Sequence, residues 1–226
     1  MKKLIIALAV MAVASMASAA IVASWTTTTA DNVGDLNTIA ETGAHGYSFV
    51  MNDGGFLTGG TSSAGAYSMA PGNDGSASAA FASGRYLYFT WDTDYTLSLA
   101  AVNGRYTRSG TGATTVQWGT IISGVWADIG SAVSVTMTAT PTTAYGATAT
   151  TFTGVSGLTS GQLGMAVYGG SGSANNNWVR LDSRPTATSQ VALSIDGTMT
   201  AVPEPATMSL LGLGALAMVL RRKMSK

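Results

Sequence analysis

The sequence predicts an all-β fold, a two-sheet sandwich of the jelly-roll kind, and three observations carry that prediction. Apolar and polar residues alternate with a period of two through most segments between residues 20 and 201, and no window there sustains a helical period. Ser and Thr make up about a quarter of the chain and 28 residues are glycine, a composition of sheets and turns. Cysteine is absent, so the domain must rely on its apolar core, which roughly 180 residues can supply without disulfides.

The chain opens on a basic start, Lys2 and Lys3, followed by an unbroken apolar run from Leu4 to Val13 and a small-residue site, Ala17-Ser18-Ala19. A charge that stays cytoplasmic, a short helix and side chains small enough for signal peptidase define a removable signal helix over residues 1–19, cut after Ala19. The run is shorter than the roughly 20 residues that cross a bilayer, which argues against a permanent anchor.

Strands follow in order. Ile21 to Thr29 is a β-branched opening run, and Tyr47 to Met51 is a short strand closed by Asn52-Asp53-Gly54-Gly55. Gly59 to Ser83 reads as a Gly/Ser/Ala-rich loop with weak strands and a Pro71-Gly72-Asn73-Asp74-Gly75 turn. The clearest alternation is Tyr86 to Trp91, the turn Asp92-Thr93-Asp94, and Tyr95 to Leu99, where Tyr95, Leu97 and Leu99 share one face. The same period marks Thr114 to Ile122, Val133 to Ala139, Thr148 to Thr153, Leu163 to Tyr168, Trp178 to Asp182 and Val191 to Ile195. About nine to eleven short strands in one domain suit two packed sheets.

The last segment breaks the pattern. Ala206 to Leu220 is apolar and uncharged, and Arg221, Arg222 and Lys223 follow at once. The run is marginal for a full span, but its basic stop suits a cytoplasmic face, so a C-terminal transmembrane helix over 206–220 is expected. Val202-Pro203-Glu204-Pro205, then this Gly-spaced apolar run, then Arg-Arg-Lys, resembles the PEP-CTERM sorting signal of Gram-negative bacteria. The resemblance covers residues 202–226. It implies that Pro203, Glu204 and Pro205 are the recognition element for exosortase, a membrane protease-transpeptidase. It further implies that the protein is delivered outward and associates with extracellular polysaccharide or biofilm. Three body segments are also similar to a sandwich domain recurrent among such proteins: Tyr95 to Leu99 leading to Arg105–Gly112, Leu163 to Gly169, and Trp178 to Asp182. Ser183 to Ser189, with Pro185, departs from that pattern and puts the edge pairing there in question.

Charge and residue counts exclude several functions. Between residues 20 and 202 there are five arginines, ten acids and no lysine, which repels phosphate backbones and argues against nucleic acid. His45 is the only histidine and sits in a polar loop, so a Ser-His-Asp triad has a single possible base and no nucleophile elbow. Glycoside hydrolysis needs two placed carboxylates, yet the body's one glutamate is Glu41, and Asp53, Asp74, Asp92 and Asp94 read as turn residues. Those turns could hold a structural calcium, although none extends into a full loop pattern; no other cofactor or metal is expected. Of the tryptophans, Trp91, Trp118 and Trp178 read as core, Trp25 lies in the opening strand, and Trp126 beside Asp128 is the best candidate for an exposed sugar platform. The expectation is a non-enzymatic, exported surface or matrix protein processed by signal peptidase and exosortase. A carbohydrate-binding module is the alternative, and a glycoside-active enzyme comes third.

Overall fold

The computed structural model describes residues 20–26, 40–41, 49–53, 66–69, 74–135, 148–171, 179–182, 191–202, 214, 218 and 221–222. Its elements are β1 (Ala20–Thr26), β2 (Ala40–Glu41), β3 (Phe49–Asp53), β4 (Ala66–Met69), a short helix α1 (Ala77–Ala82), β5 (Tyr86–Trp91), β6 (Tyr95–Gly104) and β7 (Tyr106–Arg108). They continue as β8 (Thr115–Ile122), β9 (Val125–Ser134), β10 (Thr148–Thr151), β11 (Leu163–Tyr168), β12 (Val179–Asp182) and β13 (Leu193–Ala201).

The strands form one five-stranded sheet in the order β10-β6-β13-β1-β2 and a second in the order β3-β5-β11-β8-β9, with a smaller sheet β4-β12-β7. Setting aside the outermost β2 and β3, each large sheet contributes four strands. In chain order β1, β5, β6, β8, β9, β10, β11 and β13 change sheet at every step except β8 to β9, which pair directly. That wiring, with first and last strands hydrogen-bonded to one another, is the double Greek key of a jelly roll. β12 joins the small sheet between β4 and β7 rather than an edge of the sandwich.

Alternation explains the burial. In β5 the odd positions Leu87, Phe89 and Trp91 are buried and the even ones half-exposed, and Leu97 and Leu99 of β6 point inward with Tyr95 packed beside them. Trp25 of the first sheet meets Phe89 of the second at 5.5 Å between ring centroids. Phe89 in turn stacks on Trp118 at 5.5 Å and Phe49 on Trp91 at 5.0 Å. Offset rings of this size dominate the energetics of such a core.

Two expectations change here. The stretch from Gly59 to Ser83 contains β4 and α1 rather than loop and weak strands alone. Ser76 caps the helix by accepting the Ala79 N–H at 3.2 Å, and the Ala-Ser-Ala-Ala-Phe-Ala sequence is rich in the best helix former. Six residues are too few to show a helical period. The second change concerns Val125 to Gly130, which lies between the expected strands and is the first half of β9. Ser123 and Gly124, at φ 53° and 75°, make the two-residue turn that joins β8 to β9. β9 ends at Ser134, short of the expected Ala139; residues 136–147, 178 and 183–190 lie outside the described residues.

Candidate functional site

The outer face of the second sheet holds a second cluster of aromatic side chains among the described residues. Ala77 and Ala80 of α1 bury against Trp126 and Ala166, with Phe81, Tyr86, Ile121 and Tyr168 around them. Trp126 lies flat across the sheet because Gly119 and Gly164 beneath it have no side chains; a Cβ on either would run into the indole. Phe81 covers the other side at 5.7 Å and 34°, and Trp126 Nε1 donates to Asp128 Oδ1 at 2.6 Å. Trp126 is therefore only 7% exposed. The candidate sugar platform is a buried strut that fastens the helix to the sheet.

Tyr86 and Tyr88, 6.0 Å apart, remain half-exposed beside this cluster. Desolvation raises the Tyr86 hydroxyl above its ordinary range, with Tyr88 adding to it; desolvation and then Asp128 do the same to Tyr168. Inside the sandwich, burial pushes the Tyr106 hydroxyl up strongly, and the neighbouring Trp118 indole opposes this only in part. Among the described residues, neither the Tyr106 hydroxyl nor Trp118 Nε1 makes a hydrogen bond of good geometry.

The acidic residues have local tasks. Asp74 binds Arg85 at 2.6 Å and accepts from Ser83 Oγ at 3.0 Å, which ties the two flanks of α1 together. Asp92 and Asp94 are exposed in the β5–β6 turn, where the Asp92 carbonyl accepts the Tyr95 N–H at 3.1 Å. Asp53 is the last residue of β3, opposite Leu87, and not a turn residue. Asp196 accepts from Asn103 Nδ2 at 3.0 Å on the other sheet. Glu41 lies in β2, and His45 falls outside the described residues. Among the described residues no three His, Cys, Asp or Glu side chains come together.

Where the free edges of the two large sheets meet, β9 and β10 leave an open groove of about 380 Å³ lined by residues 131–134 and 148–151. A bulge in β9 shapes it: pairing jumps from Val116 with Val133 to Trp118 with Ile129. Gln117 Nε2 fills the bulge by donating to the Trp118 and Ile129 carbonyls at 2.8 and 2.9 Å. The lining is Ser, Thr, Ala and Val, so it offers hydroxyls and methyls but no titratable group.

The remaining candidate is the junction with the tail. β13 pairs with β6 up to Ala201 opposite Tyr95, and the Val202 N–H then donates to the Asp94 carbonyl at 2.7 Å. Pro203 has no N–H with which to continue the ladder. The last strand ends at Ala201. Residues 201–223 match the PEP-CTERM protein-sorting motif. No curated protein and no solved structure matches the chain. The sorting motif thus starts on the last residue of the final strand, with no spacer between fold and signal.

Pro203, Glu204, Pro205 and Lys223 lie outside the described residues, as do Ala17 and Ala19 at the other end. Within the expected apolar helix and its stop, Gly214, Met218, Arg221 and Arg222 are helical and exposed. Among the described residues no helix is long and apolar enough to cross a membrane. Sequence reasoning singled out Trp126 as the best candidate for exposure but did not see what covers it. The signals of its burial were the two glycines set within otherwise β-forming strands, Gly119 and Gly164, and the aspartate two positions after the indole.

Proposed function

We propose that this chain is a non-enzymatic, exported surface protein whose jelly-roll body becomes part of the extracellular, polysaccharide-associated matrix after exosortase acts at Pro203-Glu204-Pro205. The observation that carries the proposal is the sorting motif over residues 201–223, set directly on the closing strand of a complete sandwich. A PEP-CTERM motif implies export, anchoring in the membrane before processing, and exosortase as the processing partner. Three of the body's ten acids support the non-enzymatic part, because Asp74 and Asp128 hold the surroundings of α1 and one oxygen of Asp196 accepts from Asn103. On this reading the body needs no cofactor; a calcium would be structural, and the exposed Asp92–Asp94 turn is the place for it.

Fractionation of exosortase-bearing cells, probed with an antibody to the body, tests the proposal. The protein should appear in the matrix fraction, and replacement of Pro203, Glu204 and Pro205 by alanine should hold it in the membrane at precursor size. Retention of parent and mutant alike in the membrane would contradict it. The carbohydrate-binding alternative loses its best residue with the burial of Trp126, and a glycan array read with the purified protein decides what remains of it.

A further inference from the structure

The end of the sandwich from which the tail departs also carries an uncharged aliphatic tip. Leu163 of β11 stands opposite Phe89 of β5 and Thr120 of β8. Trp91 and Ile122, which close β5 and β8, therefore reach the same end of the second sheet. Trp91 leads into the Asp92–Asp94 turn, and Asp94 holds Val202. The N-terminal strand also starts towards this end, with Ala20 opposite Gly197 of β13. At the tip Ile122 and Val125 pair across the Ser123-Gly124 turn, 52% and 66% exposed, and Val202 at the tail's root is 45% exposed. Residues 119–127 contain no charged side chain.

We infer that the Ile122-Ser123-Gly124-Val125 tip rests in the lipid surface of the membrane that holds the precursor. The inference builds on the proposed anchoring by the apolar run 206–220. Only residues 203–205 separate Val202, the last described residue of the body, from that run, and the four residue steps from Val202 to Ala206 span at most about 14 Å. The tail's end of the sandwich is thus held within about that distance of the bilayer. Strands about 4.8 Å apart place the β8–β9 turn roughly 10–15 Å to the side of the tail's root, within reach of the same surface. Asp92 and Asp94, exposed beside the root, are repelled by anionic lipid and tilt the body towards the uncharged tip. Bare aliphatic side chains so placed exchange water for the headgroup–acyl boundary.

The chain has no cysteine, so single labels are clean. The chain from Ala20 to Lys226 is reconstituted into phosphatidylcholine–phosphatidylglycerol vesicles containing brominated lipid, with a fluorophore on Ile122→Cys or on Thr111→Cys. Thr111 is exposed beyond β7, at the opposite end of the sandwich. Flotation of the vesicles reads the anchoring separately. With an apolar tip settled about 5–10 Å into the boundary, the label at 122 should be quenched about threefold more than the label at 111. Adding Val125→Asp should bring quenching at 122 down to the level at 111 without loss of flotation. Chains that float but quench equally at 122 and 111 overturn the tip contact alone. Chains that fail to float overturn the anchoring, and the tip contact with it.

Discussion

Between Ala20 and Ala201 the chain is organised by burial: its meaning lies in which side chains face one another across two sheets, and few residues there are individually indispensable. From residue 201 onwards it is organised as an address, a matched motif in which order and position carry the information. The two regions share one residue, Ala201, and almost nothing else. Damage should therefore separate cleanly. Substitutions in the body should alter stability and leave the address readable, while substitutions in the sorting motif should alter destination and leave stability untouched.

The largest effect that could break this separation lies at Trp118, fully buried and stacked on Phe89. Trp118→Ala should cost about 3–5 kcal/mol in denaturant unfolding, whereas alanines at Pro203, Glu204 and Pro205 should leave the midpoint unchanged. A tail substitution that shifted the midpoint as much would show the regions to be one cooperative unit. Next comes Gly164→Val, which pushes a side chain into Trp126 and so lifts α1 from the sheet. A loss of about 1–3 kcal/mol is expected, with increased tryptophan exposure in fluorescence. Asp74→Ala removes the Arg85 pair and the Ser83 bond beside α1. Because Arg85 is partly exposed, the loss should be no more than about 1 kcal/mol and should shrink further in high salt.

The smallest effect has the opposite sign. Tyr106 buries a hydroxyl with no well-formed hydrogen bond among the described residues, so Tyr106→Phe should be neutral or should stabilise by about 1 kcal/mol. The same residue sharpens the pH dependence. Burial raises its folded-state pKa, so its neutral form is the one the fold favours. That contribution is intact below the ordinary tyrosine value near 10 and drains away as pH climbs above it. Unfolding curves taken from pH 8 to 11 should fall more gently for Tyr106→Phe than for the parent.

The sandwich was legible because alternation is enforced at every strand: Tyr86 to Trp91 has one reading, and the structure gives it that reading with buried Leu87, Phe89 and Trp91. What buries Trp126 was not legible, because its cover comes from Phe81, 45 positions earlier, and its floor from Gly119 and Gly164 on two other strands. No local window contains those contacts. Helix α1 was hidden for a different reason: at 6 residues its identity rests on a cap and on intrinsic propensity rather than on periodicity. The β8–β9 turn hid behind a Ser-Gly pair, a weaker hairpin signal than Asn-Gly or Asp-Gly. The sorting motif was legible, since an address must be readable in the linear chain, and the match spans residues 201–223 where 202–226 was expected.

Intact-mass spectrometry of the protein recovered from the outer fraction of exosortase-bearing cells tests the central claim most directly. The account predicts a chain that begins at Ala20 and ends close to Pro203-Glu204-Pro205, lacking the apolar run and Arg221, Arg222 and Lys223. A mass that still includes those residues through Lys226 would contradict it.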